Sequence, residues 1–191
     1  MTQRKLVLAT RNDHKVREFQ RLLPGVELVG LPDGVELPPE DGDTYAANSL
    51  GKARAAAAAT GMDSIADDSG IEAADLGGKP GIYSARFAGE DATDEENLAL
   101  LEAQVRPGGV LEYVCAIAFV GADGTEDVLE SRCKGRMAAQ RSGNRGFGYD
   151  PVFVPDEGDG VMTMADLADD QKDRISHRGL AASLLREYLS K

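Results

Sequence analysis

Two short apolar runs separated by an amphipathic segment constrain the fold most strongly, and they stand at the start of the chain. The run KLVLAT at 5–10 predicts a buried strand, and VELVG at 26–30 predicts a second one. Between them, 12–23 carries apolar residues at the three- to four-residue spacing of one helical face, with Asn12 placed to cap the helix. A β-α-β opening of this kind favours an α/β fold with a partly parallel sheet.

Three further segments carry helix signals. The alanine-rich segment 44–60 predicts a helix that Gly61 ends. The pattern TDEE begins with a Thr-x-x-Glu capping box and predicts a helix over 93–105. The final segment, DRISHRGLAASLLREYLS at 173–190, predicts one C-terminal helix.

Strand signals fill the regions between these helices. SIADD at 64–68 predicts a strand with two aspartates at its end, and 70–76 continues beyond it. The glycine-rich segment 77–89 predicts irregular structure. The segments LEYVCAIAFV and EDVLESRCKGRM flank GADGT and predict a long antiparallel hairpin, and GFGYDP at 146–151 predicts a loop that enters a strand.

Composition limits the functional classes. The chain has 191 residues and a net charge of −12, which argues against a general nucleic-acid surface because phosphate backbones bind clustered Lys and Arg. Cys115 and Cys133, the only cysteines, lack CxxC spacing, so we expect two reduced thiols in a cytoplasmic protein. No run reaches the roughly 18 apolar residues of a membrane span, and we expect no membrane partner.

The first candidate site lies between the first strand and the first helix. It comprises Thr10, Arg11, Asn12, Asp13, His14 and Lys15. Helix N-termini present unpaired N–H groups and partial positive charge, which suit phosphate, and three of these side chains add donors. A simple helix cap surrounded by solvated charges explains the same residues, and the segment lacks the glycines of a P-loop.

The second candidate is the aspartate pair of ADDSG, Asp67 and Asp68, followed by Ser69. Adjacent strand residues alternate sides, so the two carboxylates can have different roles. Carboxylates suit Mg²⁺, which would also offset their mutual repulsion, and Glu40 is a candidate second ligand. The alternatives are an Asp-Ser-Gly turn bonded to local backbone and a solvated Glu40.

Two more segments lie towards the C-terminus. Phe147, Gly148, Tyr149 and Asp150 combine close backbone approach, aromatic faces for a base and an acceptor, although a turn with packed aromatics would look similar. Lys172 precedes a predicted helix N-terminus with His177 and Arg178, which suits an anion or a carbonyl. A lone histidine is also a common structural residue.

Six motifs occur in one order along the chain: LATRNDHK, EDGDTYAANSLGKA, IADDSGIEA, GGKPGIYSARFAGEDATDEEN, GFGYDPVF and ISHRGLA. Together they resemble the Ham1/RdgB-type family of inosine triphosphate pyrophosphatases from about residue 6 to 182. The resemblance implies an α/β fold with an elongated mixed sheet and flanking helices, in a single domain over 1–191 whose two lobes surround a central cleft. It also implies a homodimer and a Mg²⁺ cofactor.

The implied reaction converts inosine and xanthosine triphosphates, and their deoxy forms, to the monophosphate and pyrophosphate, which cleanses nucleotide pools. By resemblance, the segment Thr10 to Lys15 binds triphosphate, and Asp68 is the metal-binding acid and general base, with Glu40 near the metal. The remaining substrate contacts implied by the motifs are Ser69, Phe147, Gly148, Tyr149, Asp150, Lys172, His177 and Arg178.

The chain departs from the family pattern at two places. His14 stands where a glycine is common, and Tyr45 and Ala47 stand where Phe and Glu are common, which removes an acid that could support the metal. Two other functions fit the same segments. One is a Maf-like pyrophosphatase for modified pyrimidine nucleotides, and the other is a nucleotide-binding module without catalysis.

Overall fold

A mixed β-sheet organises the molecule. The computed structural model describes residues 4–191, and within them the sheet has six strands in the order β2-β1-β3-β4-β5-β6. The strands are β1 Arg4–Leu8, β2 Val26–Gly30, β3 Ser64–Ala73, β4 Val110–Val120, β5 Glu126–Met137 and β6 Phe153–Pro155. β1 pairs in parallel with both β2 and β3, and β5 pairs antiparallel with β6. The α/β class and the mixed sheet are therefore confirmed.

Five α-helices lie between and after these strands within the described residues. They are α1 Asp13–Leu22, α2 Tyr45–Thr60, α3 Asp94–Gln104, α4 Asp169–Ile175 and α5 His177–Leu189. Short 3-10 turns occur at Ala74–Leu76, Gly81–Arg86 and Asp150–Val152. None of the helices over 4–191 combines the length and the apolar character that crossing a membrane requires.

Local signals account for the helix ends. The Asn12 side chain accepts hydrogen bonds from the first-turn amides of α1, as its position predicted. Thr93 and Glu96 form the predicted capping box at the start of α3. Gly61 ends α2 with a φ of 67°, a left-handed conformation that a side chain would make costly.

The chain divides into two compact units. Unit 1 contains the described chain up to Asp68, together with Cys115–Glu130 and Ala181–Lys191. Unit 2 contains Ser69–Val114 and Ser131–Leu180. The prediction of a single domain with a cleft between two lobes stays a prediction.

Unit 1 has one apolar core on each face of its strands. The α1-side core packs α1 and α5 on alternate strand residues; it contains Leu6, Leu8, Phe19, Leu22, Leu23, Ile65, Cys115, Ile117, Phe119, Ala181, Ala182 and Leu185. The α2-side core packs the alanines of α2 on the intervening residues; it contains Val7, Ala9, Leu31, Ala53, Ala56, Ala66, Ala118 and Val120. The two-residue period of each strand thus decides which helix a side chain meets.

Unit 2 has its own apolar core, which includes several aromatic residues. Its buried members are Ile71, Ala73, Leu98, Leu101, Val105, Leu111, Tyr113, Cys133, Met137, Tyr149, Val152, Phe153 and Met164. Both cysteines of the chain are buried and neither is part of a disulfide, which confirms the predicted thiols.

Three predicted elements were wrong in extent. β3 continues through the aspartate pair to Ala73, so the two carboxylates lie in the middle of a strand and not at its end, and the strand stops before 74–76. The predicted C-terminal helix is two helices, because Ser176 adopts an extended conformation (φ −70°, ψ 151°) between α4 and α5. The segment 77–89, predicted to be irregular, contains the 3-10 turn Gly81–Arg86.

Candidate active site

The two aspartates of β3 contact different helices of unit 1. Asp67 Oδ1 lies 3.1 Å from Nζ of Lys15 on α1. Asp68 Oδ2 accepts a hydrogen bond of 2.9 Å from Nδ2 of Asn48 on α2. Both side chains are buried. The alternation of a strand therefore separates the pair, as predicted, and places each carboxylate beside a polar group from a different helix.

Lys52 joins these groups, and sequence reasoning missed it. It lies on α2, is buried, and donates from Nζ to the Asp67 carbonyl oxygen at 2.7 Å and to Oε1 of Glu40. The segment around it, NSLGKARAAAAAT, signals only a helix. The one available signal was a lysine within an otherwise small and apolar helical face, since a buried lysine requires a partner.

Three nearby acids, Asp67, Glu40 and Asp68, interact electrostatically with the Lys52 ammonium group. Burial lowers the pKa of the Lys52 ammonium. The carboxylates of Asp67, Glu40 and Asp68 together outweigh burial, and the pKa is raised. Lys52 is therefore a permanent cation at neutral pH.

The surroundings of Asp68 raise the pKa of its carboxyl group. Burial raises the pKa of its carboxyl group, and the neighbouring Glu40 charge raises it further. Lys52, the hydrogen bond from Asn48 and Lys15 act in the opposite direction without cancelling the rise. A carboxylate with a raised pKa accepts a proton more readily than an ordinary aspartate does.

The donors in unit 1 fit a hard divalent cation that is shared with substrate. Within residues 4–191, no three His, Cys, Asp or Glu side chains form a complete metal-binding cluster. Glu40 and Asp68 are nevertheless oxygen donors whose negative charges interact. Mg²⁺ commonly binds through one or two carboxylates, with water and substrate phosphates as its other ligands. The pair suits that kind of site, with Lys52 as the cation that balances the two acids.

The backbone N–H groups in the first turn of α1 bond to the capping side chain of Asn12. Asn12 Oδ1 accepts from the backbone N–H groups of His14 at 2.9 Å and Lys15 at 3.2 Å. Thr10 Oγ1 accepts from Asn12 N at 3.2 Å, and Asp13 places a carboxylate in the first turn. Asn12 therefore satisfies amides that could otherwise face phosphate, which is the cap alternative of the sequence analysis. The role of this segment in triphosphate binding stays a prediction.

Arg11 fixes the loop that follows β2. Its guanidinium donates to three backbone carbonyl groups, those of Leu31, Pro32 and Val35, at 2.8 to 3.2 Å. These hydrogen bonds hold the loop against Arg11. The contact of Arg11 with substrate stays a prediction. The side chain of His14, the residue that departs from the family pattern, is exposed.

A second group of predicted residues comes together in unit 2 around Asp150. Its Oδ2 accepts from Lys172 Nζ at 2.8 Å and from Phe147 N at 2.9 Å. Its Oδ1 accepts from Tyr113 Oη at 3.3 Å. Gly146 is required beside this carboxylate, because φ is +71° there and a Cβ atom would collide with Asp150 Oδ2. Asp150 therefore organises the loop from within the protein.

Two cations flank the ring of Phe147. Lys172 Nζ lies 5.5 Å and Arg178 Cζ 5.6 Å from the ring centroid, within the range of cation–π attraction. Arg178 is buried and donates from Nη2 to Ser69 Oγ at 2.7 Å. The predicted substrate-binding residues Ser69, Phe147, Lys172 and Arg178 are thus neighbours in the structure.

The remaining members of this group are held by structural contacts. The Tyr149 hydroxyl donates to the Ser84 carbonyl oxygen at 2.6 Å, and burial raises its pKa. Gly148 N donates to Asp94 Oδ2 at 3.2 Å. His177 starts α5, as the SHRG motif predicted, and its ring stacks on Tyr113 with centroids 4.4 Å apart and planes 9° apart.

The chain belongs to the Ham1 family, whose model matches residues 6–188. Among curated relatives, it is similar to the dITP/XTP pyrophosphatase of Cutibacterium acnes, at 45% identity over 93% of this chain and 92% of the relative. It is also similar to the dITP/XTP pyrophosphatase of Mycolicibacterium paratuberculosis, at 46% identity over 94% of this chain and 93% of the relative.

Solved structures show the same fold. The Ham1 protein of Staphylococcus aureus matches with a TM-score of 0.82 and 36% identity over 98% of both chains. A HAM1 protein from Coxiella burnetii matches with a TM-score of 0.83 and 35% identity, also over 98% of both chains. These matches confirm the resemblance that six ordered sequence motifs indicated.

Proposed function

We propose that this chain hydrolyses non-canonical purine nucleoside triphosphates, namely ITP, dITP and XTP, to the monophosphate and pyrophosphate. The observation that carries the proposal is the group formed by buried Asp68, Asn48 and Lys52 with half-buried Glu40, in a chain of the Ham1 family. Relatives at about 45% identity carry the name dITP/XTP pyrophosphatase, which supports this substrate class over modified pyrimidine nucleotides.

Asp68 is the general base of the proposed reaction. Water attacks the α-phosphorus, the bond to the pyrophosphate oxygen breaks, and the proton of the water passes to the Asp68 carboxylate. Asp68 is buried and accepts a hydrogen bond from Asn48, which holds its carboxylate in place for that transfer. Asp67 is less suited, because its carboxylate is ion-paired with Lys15.

Positioning and charge neutralisation contribute most of the rate in reactions of this type. Mg²⁺, bound by Asp68 and Glu40, would neutralise phosphate oxygens and make a bound water more acidic. Lys52 holds Glu40 in place and is a permanent cation beside both acids. Lys15 of unit 1 is a proposed contact of the triphosphate and Lys172 of unit 2 is a proposed substrate contact, although each already has a carboxylate partner.

Base selectivity rests on the six position of the purine. Hypoxanthine and xanthine carry a carbonyl group there, which accepts hydrogen bonds, whereas adenine carries an amino donor. Arg178 and the backbone at the start of α5 supply donors that satisfy the carbonyl group and stay unpaired against adenine. Leaving buried polar groups unpaired discriminates by orders of magnitude. Arg178→Ala is therefore expected to lose most of the preference for ITP over ATP.

The proposal extends to the setting of the enzyme. We propose Mg²⁺ as the physiological metal, a homodimer as the working assembly and the cytoplasm as its compartment. The two cysteines support the compartment because neither is part of a disulfide, and reduced thiols are the rule there. Sedimentation of the purified protein measures its assembly state.

A pyrophosphate-release assay tests the function. The purified protein is given ITP, dITP, XTP, ATP, GTP and a modified pyrimidine triphosphate, each with Mg²⁺ and with chelator. We expect turnover of the first three only, and only with Mg²⁺; rejection of GTP requires discrimination at the purine two position, where guanine carries an amino group. Equal rates on ATP, or a preference for the pyrimidine, would contradict the proposal.

A pair of aspartate variants sharpens the same assay. Asp68→Asn keeps the shape of the side chain and its hydrogen-bond acceptor but removes the base and the negative charge. We expect a loss of about 100-fold or more in kcat, as for the removal of a key electrostatic group. Asp127→Asn, an exposed aspartate on β5, is the matched control and should leave kcat unchanged. Full activity of Asp68→Asn would remove Asp68 from the mechanism.

A further inference from the structure

Tyr113 is a core residue of β4 that touches two of the proposed base-binding segments. Its ring packs against Phe153, with centroids 4.4 Å apart, and stacks on His177 at the same distance. Its hydroxyl donates to Asp150 Oδ1 at 3.3 Å. Burial, with the Asp150 charge next, raises the pKa of Tyr113 well above its usual value, so the hydroxyl stays a donor.

The contact with Asp150 reaches the Phe147 loop. The other carboxylate oxygen of Asp150 accepts from Phe147 N and from Lys172 Nζ. Any rotation of this carboxylate would displace both groups at once. Tyr113 is the partner that holds the Oδ1 end, so the orientation of Asp150 depends on it.

The contact with His177 reaches the other segment. His177 begins α5, and the next residue, Arg178, lies over the Phe147 ring and donates to Ser69. A parallel stack at 4.4 Å fixes the plane of the His177 ring. One side chain thus contacts both the loop that carries the aromatic face and the helix start that carries the proposed donors.

We infer that Tyr113 is a positioning residue for purine recognition: its hydroxyl orients Asp150 while its ring orients His177, and together they set the geometry of the base-binding residues. The inference rests on the proposed function, since it names a residue that tunes selectivity in that reaction. Tyr113 itself acts through these two residues. Its sequence context, LEYVCAIAFV, signals only a buried strand.

Tyr113→Phe is the direct test, because it removes one hydroxyl and keeps the Phe153 packing and the His177 stack. Asp150 Oδ1 then loses its donor inside the protein. Because the hydrogen bond that orients the Asp150 carboxylate is lost, we expect KM for dITP to rise about tenfold. We expect kcat to change less than twofold, which is the pattern of lost ground-state binding. The ratio of kcat/KM for dITP over dATP should fall about tenfold as well.

Two further variants provide a larger disruption at Tyr113 and a control at a distant tyrosine. Tyr113→Leu also removes the stack and should reduce the dITP/dATP ratio further. Tyr188→Phe, a tyrosine of α5 whose ring packs on Phe119 in unit 1, should leave KM and the ratio unchanged. The ratio is independent of the fraction of active molecules, so partial unfolding of a variant lowers both activities and does not move it.

The outcomes separate the inference from the function on which it rests. A wild-type protein that releases no pyrophosphate from dITP contradicts the proposed function before any variant is made. An active wild type together with a Tyr113→Phe variant of unchanged KM and unchanged dITP/dATP ratio overturns the inference alone. A lower melting temperature with an unchanged ratio has the same meaning, because it assigns Tyr113 a purely structural role.

Discussion

Lys172 and Asp150 form a buried ion pair, with the ammonium nitrogen and carboxylate Oδ2 2.8 Å apart. Their side chains are 7% and 4% exposed, so water screens the pair little. Taking two charges out of water is costly, and such a pair is favourable only when further hydrogen bonds satisfy the remaining atoms. Phe147 N and the Tyr113 hydroxyl supply those bonds to Asp150.

Lys172→Met should therefore destabilise the protein strongly. It leaves the Asp150 carboxylate buried without its cation, and removal of one partner from a buried pair costs about 3–5 kcal/mol. Chemical denaturation measures the free energy of unfolding. Arg174→Met on the same helix removes an exposed pair with Asp170 and should cost less than about 1 kcal/mol.

The double variant Lys172→Met, Asp150→Asn checks the cause. Neutralising Asp150 removes the buried charge that the single variant leaves behind. The double variant should therefore be less destabilised than the sum of the two single variants, by about 1–3 kcal/mol. Simple additivity would mean that the two charges do not interact, against the geometry.

Sequence patterns predicted which helices and strands form more accurately than they predicted how these elements pack together. The apolar period gave β1, α1 and β2, because the β-α-β unit depends on local spacing. The break at Ser176 was missed because apolar residues on both sides of it, such as Ile175 and Leu180, fit one amphipathic helical pattern. The interruption depends on Gly179 and on the packing of α4 against α5, which one-dimensional periodicity does not contain.

The candidate site shows a similar division. Polar motifs such as ADDSG and GFGYDP stand out because they interrupt apolar patterns. Lys52 gives only the weak signal of a lysine on a helical face of small residues, and Tyr113 does not interrupt its strand pattern, because a tyrosine is ordinary in a strand. Their roles arise from residues 15 and 37 positions away along the chain, Asp67 and Asp150, which only the tertiary fold brings near.

Replacing Lys52 should separate metal binding from turnover. Lys52→Met removes the cation that balances Glu40 and Asp68, so these acids become a more negative site. We expect Mg²⁺ to raise the melting temperature of the variant at a lower concentration than for wild type. We expect the variant to be less stable without metal, and its kcat for dITP to fall at least tenfold.

Arg54→Met provides the matched control for Lys52→Met. Arg54 lies on the same helix, α2, and pairs with Glu126 at the surface. Its loss removes the same charge and should change neither the Mg²⁺ response nor kcat. Unaltered Mg²⁺ titration of Lys52→Met would show that Glu40 and Asp68 do not hold the metal.

The capping box of α3 makes part of the stability depend on pH. Hydrogen bonds from the Thr93 backbone N–H and hydroxyl to Glu96 lower the pKa of that carboxyl group. A depressed folded pKa adds stability above the unfolded pKa of about 4.3, and this contribution is lost as pH falls below that value and through the folded pKa. Glu96→Gln should melt below wild type at pH 7, with the difference shrinking as pH falls towards 3.

A second carboxylate variant isolates the cap. Glu187→Gln removes an exposed charge near the end of α5. Its melting temperature should follow wild type at every pH in that range. A Glu96→Gln difference that stays constant from pH 7 to pH 3 would rule out a charge-dependent cap.

Two helical glycines should respond to alanine in opposite directions. At Gly51 in α2, an added Cβ would meet only Pro38 Cγ at 3.5 Å, which is ordinary contact. Gly51→Ala should therefore stabilise the protein by about 0.5–1 kcal/mol, since alanine loses less backbone entropy in a helix.

At Gly179 in α5, an added Cβ would collide with the Asp173 carbonyl oxygen of α4, and it would lie 3.1 Å from Ser176 Oγ. Gly179→Ala should cost at least about 2 kcal/mol, because backbone atoms cannot move aside as a flexible side chain can. Gly179 N also donates to Ser176 Oγ at 3.1 Å, so the clash strikes the turn that places His177. The variant is expected to lose selectivity for dITP over dATP along with stability. Equal tolerance of alanine at both glycines would show that the α4–α5 turn does not require glycine.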